Sequence, residues 1–163
     1  MSKKQEQSFL FIITVISIVF LPFAIIKRSF KDWIIVYLVS VIGNSFIDRY
    51  LVSKGYLGYN VRPFKKLFSI HFPFDFIHYP LMLLYYNQWT LHNKPFISIL
   101  KLFPFIIPLV IVETWAAKKS HLINWKKGWT WYHSLCSLAI KFLLCRSIIA
   151  TIRVVNNGSV SVK

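Results

Sequence analysis

Residues 8–26 read SFLFIITVISIVFLPFAII, from Ser8 to Ile26 without a charged side chain. A bilayer-spanning helix needs roughly 20 predominantly apolar residues. Lys3 and Lys4 precede the run, in the manner of a secretory signal. The apolar core is longer than the roughly 7–15 residues of a signal, however, and no A-x-A-like cleavage site follows it. The run is therefore expected to stay as a first membrane span, in which Pro22 near the end is tolerable.

The rest of the chain agrees with this solvent. Of 163 residues, 56% are hydrophobic and 15% charged, with a mean hydropathy of +0.54. Ordinary soluble domains sit at about 45–50% apolar and about 25% charged. That composition excludes a disordered chain and argues against a soluble enzyme. Twenty Lys and Arg face five Asp and Glu, a formal charge of +15. Such a balance normally raises nucleic-acid binding, but the cations form no single patch. They sit in short clusters between apolar runs: Lys27, Arg28 and Lys31; Lys65 and Lys66; Lys118 and Lys119; Lys126 and Lys127. That is the pattern of membrane anchors beside anionic lipid headgroups, with no nucleic-acid partner.

Four further segments follow: Trp33 to Tyr50, Leu67 to Trp89, Pro95 to Ala117 and Trp129 to Ala150. The expected fold is all-α, an integral membrane bundle of about five transmembrane helices. The alternative is four plus an interfacial amphipathic helix, because Lys141 and Arg146 interrupt the fifth segment. Residues 1–155 form one multi-pass domain, and 156–163 read as a flexible tail. Cys136 and Cys145 fall on nearly opposite helical faces and read as small packing residues, not a disulfide or redox pair.

Orientation follows from the cations. One side receives Lys3 and Lys4, then Arg49, Lys54, Arg62, Lys65 and Lys66, then Lys118, Lys119, Lys126 and Lys127. The other receives Lys27, Arg28, Lys31, Lys94, Arg153 and Lys163. The bias puts the N-terminus in the cytosol, and Trp residues near segment ends suit an aromatic belt.

Three of the five acids, Asp48, Asp75 and Glu113, lie in apolar segments. An Asp at mid-helix costs roughly 2.5–3.5 kcal/mol on insertion scales, so each is expected to face the bundle interior. His71, Asp75 and His78 are spaced i, i+4, i+7 and share one face of an α-helix. Pro73 and Pro80 flank that face and free backbone carbonyls as acceptors. The N-in arrangement predicts that Asp48, His71, Asp75, Glu113 and His133 converge near the cytosolic side, with His78 on the same stripe. Lys101, Lys141 and Arg146 are expected nearer the outer half, snorkelling. The cluster reads as an interhelical hydrogen-bond network first, then as proton or ion handling, then as a metal site needing a ligand from another helix. No cofactor is implied.

The order Asp48, Gly58-Tyr59, Pro63, Phe74-Asp75, Pro80, Glu113, Leu122-Ile123 and Gly128-Trp129-Thr130-Trp131 resembles a family of small multi-pass membrane proteins from Gram-positive spore-forming bacteria. The resemblance runs from about the second segment onward. It implies a bacterial plasma membrane and singles out Asp48, Asp75 and Glu113. It assigns no place to His71 or His78, and it supplies no activity. No GxSxG, HExxH or P-loop is present. The expected role is a non-enzymatic plasma-membrane protein, with other membrane proteins or further copies of itself as candidate partners in a homo- or hetero-oligomer; the alternative is a small ion- or proton-coupled transporter or channel subunit.

Overall fold

The structure is a computed structural model that describes residues 3–26, 30–60, 73–120 and 122–160. Within them the chain is mostly helical: α1 Lys3–Ile25, α2 Phe30–Ser53, a π-helical stretch Phe74–His78 continuous with α3 Tyr79–Thr90, α4 Pro95–Leu100, α5 Phe103–Lys119 and α6 Trp131–Val160. Two short strands, β1 Leu57–Tyr59 and β2 Ile123–Trp125, pair antiparallel. Four stretches are long and apolar enough to cross a membrane: Gln7–Ile25, Phe30–Ser53, Pro95–Lys119 and Trp131–Val155. The expected third segment begins outside the described residues. Its described part, 73–90, is a helix but is not among these four. The last helix runs on to Val160, into the stretch read as a tail.

Local chemistry sets the element ends. Gly55, at φ +75°, stops α2. Its N–H bonds the Val52 carbonyl and the Tyr56 N–H bonds the Leu51 carbonyl, each at 3.0 Å, a Schellman closure that favours glycine. Pro104 has no N–H for the Leu100 carbonyl and its ring crowds that turn, which separates α4 from α5 at Lys101–Leu102. Lys127 and Gly128 both take positive φ, and the Trp129 N–H closes on the Lys126 carbonyl at 3.0 Å, turning the chain from β2 toward α6.

The helix over 73–90 is the centre of the bundle. Tyr79, Pro80, Leu81, Leu83, Leu84, Tyr86, Asn87 and Thr90 are all buried, so apolar side chains surround it on most sides. It packs on α1, α2 and α6. Tyr79 and Tyr86 meet the Phe142 ring of α6 edge-on, at 5.5 and 5.4 Å between centroids. Pro80 leaves the Phe76 carbonyl without its α-helical donor, and the Tyr37 phenol of α2 donates to that carbonyl at 2.9 Å. The freed acceptor expected from the proline is thus used to join two helices.

Successive helices run in opposite directions and produce two unlike ends. At one, Phe9 of α1 lies 5.6 Å from Trp115 of α5, beside the β1–β2 ribbon and the start of α6. Lys54, Lys118, Lys119, Lys126 and Lys127 belong to this basic end. At the other, Gln88 donates to the Ala24 carbonyl at 2.6 Å, and Arg153 pairs with Asp32 at 3.1 Å. Arg146 donates to the carbonyls of Thr90 and Leu91 at 2.9 and 3.2 Å, capping α3. Arg146 therefore points into the bundle, where sequence reasoning expected it to snorkel outward. Lys101 stays near the helix end, its Nζ 4.6 Å from the Trp89 ring centre. Both cysteines are free thiols, Cys136 exposed and Cys145 buried.

The ribbon is the long-range closure that brings the second and fourth connections together. A Cβ built on Gly58 would stand 3.8 Å from the Asn124 Cβ, the usual spacing of a disulfide. Gly58→Cys with Asn124→Cys, in a Cys136→Ser/Cys145→Ala background, is expected to oxidise within one chain. The check is a reducible mobility shift after proteolysis between the two sites; fragments that separate without reductant would refute the pairing.

Candidate functional site

The polar stripe of α2 begins the site. Trp33, Val36, Ser40, Asn44 and Asp48 are its buried positions, spaced by three and four, so they line one helical face. Asp48 and Asn44 therefore point at the same neighbours. One is Lys141 of α6, only 7% exposed. Its ammonium donates to Asn44 Oδ1 at 2.7 Å and pairs with Asp48 Oδ1 at 3.4 Å. It also lies 5.7 Å from the Tyr79 ring centre. The expectation that Lys141 snorkels outward is corrected here. Ser134, Leu138, Lys141, Phe142, Cys145 and Ile149 form the inner stripe of α6, and the acids across it supply a partner that lipid and a distant interface do not.

Asn44 then passes the interaction on. Its carbonyl oxygen faces Lys141, and its Nδ2 donates to Asp75 Oδ1 at 2.5 Å. Only this orientation of the amide satisfies both neighbours. Asp75, in the π-helical stretch, is fully buried. Asp75 Oδ2 has no hydrogen-bond partner among the described residues. On the other side Tyr59 of β1 donates to Asp48 Oδ2 at 2.6 Å. Burial first, then the Asp48 carboxylate, push the Tyr59 phenol well above its usual range, so it remains a donor. The result is one chain of contacts, Tyr59–Asp48–Lys141–Asn44–Asp75, drawn from β1, α2, α6 and the π-helical stretch.

Glu113 forms a second polar centre. Its Oε1 accepts from Ser134 Oγ at 2.6 Å and from Trp125 Nε1 at 3.2 Å. Ser134 Oγ in turn accepts from Trp129 Nε1 at 2.9 Å. This joins α5 to β2 and α6. Asp48, Tyr59, His78, Glu113, Ser134 and Lys141 all line one cavity of about 310 Å³.

The histidines separate from the acids. His78 does not stack above Asp75, because the wider π turn rotates successive side chains off the α-helical stripe. It faces α1 instead, with Nδ1 2.8 Å from Ser17 Oγ and Nε2 3.4 Å from Thr14 Oγ1. The Thr14 hydroxyl already donates to the Leu10 carbonyl at 2.7 Å, which leaves it to accept from His78 Nε2. His133 is a helix cap rather than a cluster member. As the third residue of α6 it accepts the Thr130 backbone N–H on Nδ1 at 3.2 Å, the reach-back half of a capping box. Its ring stacks on Trp129 at 5.4 Å. His71 lies outside the described residues. Among the described residues no three His, Cys, Asp or Glu side chains are grouped to hold a metal ion.

Of the six expected residues, the structure brings Asp48 and Asp75 into one network and sets Glu113 and His78 on the shared cavity. Lys141, Asn44 and Tyr59 complete the network without having been singled out. Asn44 was readable from its place four residues before Asp48. Lys141 carried a weaker signal, a lone mid-segment cation opposite two acids. No family model, curated protein or solved structure matches the chain.

Breaking a buried pair strands a charge, at about 3–5 kcal/mol. Lys141→Met and Asp48→Asn are each expected to destabilise by about 3 kcal/mol in denaturant titration of the purified protein, and the double variant to recover at least half of the summed loss. Strictly additive losses would show that the two side chains are not coupled.

Proposed function

We propose that this chain is a non-enzymatic, multi-pass protein of the plasma membrane, held together by its interior polar network. One observation carries the reading: the helices turn large apolar side chains outward, while α2 and α6 keep polar ones inside. On α2, Leu38, Ile42 and Phe46 are outward and exposed, while Ser40, Asn44 and Asp48 are buried. On α6, Ile140, Leu144 and Ile148 are exposed, while Ser134 and Lys141 are buried. On α5, Ile107 and Ile111 are exposed. In water such a surface would aggregate; hydrocarbon is the solvent that favours it. In this reading the helix over 73–90 is a fifth, central crossing, sheltered by the other four. The basic end faces the cytosol and anionic headgroups. The choice of plasma membrane rests on the resemblance noted in the sequence. The exposed apolar faces leave room for assembly with a second copy or another membrane protein.

A second reading, a proton- or ion-coupled carrier or channel subunit, is favoured by Asp75 Oδ2. A buried carboxyl oxygen without a donor, beside a second carboxyl and a single ammonium, is an arrangement in which a proton or small cation balances charge.

The membrane reading predicts that alkaline carbonate leaves the protein in the membrane pellet; release to the supernatant would contradict it. In a cysteine-free background, an impermeant maleimide is expected to label Lys31→Cys in intact cells and Lys126→Cys only after lysis. The reverse pattern would invert the orientation. For the second reading, proteoliposomes are expected to acidify under an imposed potential, and Asp75→Asn to abolish the flux with helicity retained. Flux equal to that of protein-free vesicles would leave the structural role alone standing.

A further inference from the structure

The cavity beside the polar network has an uneven lining. Its shaft is apolar, from Leu10 and Ile13 of α1, Leu81 and Met82 of α3, and Leu109 and Val112 of α5. A few polar and aromatic side chains join this apolar lining, among them Asp48, Tyr59, Glu113, Trp115, Trp129 and Lys141. At about 310 Å³ it lies at the small end of ligand pockets, which run from about 300 to 1,000 Å³. One hydrocarbon chain with a compact head suits that space.

Charge decides which head. Lys141 is already engaged by Asn44 and Asp48, so the Asp48 charge has its counter-ion. Glu113 takes part in no ion pair among the described residues, whose two salt bridges are Lys141–Asp48 and Arg153–Asp32. Both donors that reach Glu113, Ser134 Oγ–H and Trp125 Nε1–H, converge on Oε1. No hydrogen bond goes to Oε2 among the described residues, and Glu113 is one of the residues that line the cavity. A carboxyl oxygen that accepts no hydrogen bond among the described residues, in a cavity also lined by Trp115 and Trp129, offers an ammonium group charge-assisted hydrogen bonding and cation–π attraction.

The geometry points to an amphiphile site: the cavity takes a single alkyl chain between α1, α3 and α5 and holds its cationic amine head on Glu113. The site rests on the membrane reading for its natural source of ligand, either an amine-headed lipid or a free lipophilic amine. Its binding chemistry does not depend on that reading.

The test uses the full chain purified in maltoside micelles, with decylamine, decanol and decanoate as probes, read by native mass spectrometry. One decylamine per chain is expected, with decanol and decanoate bound at least about tenfold more weakly. Glu113→Gln keeps an acceptor for Ser134 and Trp125, and is expected to weaken decylamine about tenfold or more while its melting temperature stays near wild type. Ile13→Trp, which fills the shaft, is expected to abolish binding of all three. Unchanged decylamine affinity in Glu113→Gln, or equal binding of the three probes, would overturn the proposal. Competition by phosphatidylethanolamine would identify a lipid source, and its absence a free amine; both outcomes presuppose the site. Because the assay runs in detergent, failure of the carbonate test would leave its result readable.

Discussion

A single ammonium group, that of Lys141, sets the constraint around which the rest is arranged. Its place far along an apolar helix makes it costly unless carboxylate and amide oxygens meet it inside the bundle. Asp48 and Asn44 do so from α2, and Asn44 hands the polarity on to Asp75. This couples α2, α6 and the central helix at one depth and in one rotation. Sliding or turning any of them by one residue would strand a charge. Apolar packing alone tolerates such shifts more easily, because Leu, Ile and Phe on one helix face are nearly interchangeable to their neighbours. The network thus contributes register more than net stability.

The central helix depends on the same constraint from the backbone side. A regular α-helix through residues 73–80 would leave the Phe76 carbonyl facing the proline ring of Pro80. The π-helical stretch relieves that crowding, and the Tyr37 phenol occupies the carbonyl. The same widened turn separates Asp75 from His78. Asp75 remains with Asn44 and Asp48, and His78 swings toward Ser17 and Thr14 of α1. One backbone irregularity therefore sends two polar side chains to two different helices and leaves the cavity between them.

The long helices were legible because hydropathy is a local property. The apolar run from Ser8, the segment after Trp33, the stretch from Pro95 and the run before Ala150 all appear as helices, the third broken at Lys101–Leu102 and the last running on to Val160. The inward placement of Asp48 and Asp75 was legible for a related reason: a charge in an apolar run has few tolerable positions. What stayed hidden is tertiary. Lys141 has the length to reach an interface, so the sequence by itself favours snorkelling; its actual partners lie 93 and 97 positions away. The strands Leu57–Tyr59 and Ile123–Trp125 are three residues each, too short for alternation to show, and Gly58 weakens any local preference. The spacing argument for His71, Asp75 and His78 assumed 3.6 residues per turn, an assumption that Pro80 and the π-helical stretch remove.

Polarity in this bundle is not spread evenly along its axis. Asp48, Tyr59, Glu113, Ser134 and Trp129 crowd toward the basic end, whereas the opposite end is closed by the Arg146 cap and the Arg153–Asp32 pair. The two ends consequently differ in what they ask of a partner. The Arg146 guanidinium is spent on backbone carbonyls, and Arg153 on a carboxylate, so each of these guanidinium groups has a partner inside the chain. At the basic end the lysines of the ribbon and of α5 are exposed, and among the described residues Glu113 has neutral donors alone. An anionic surface outside and a cation inside would satisfy that end together. The separation of charge, with cations at the rim and Glu113 behind them, would let one end of a small bundle meet a lipid surface and a cationic head at once, as proposed above.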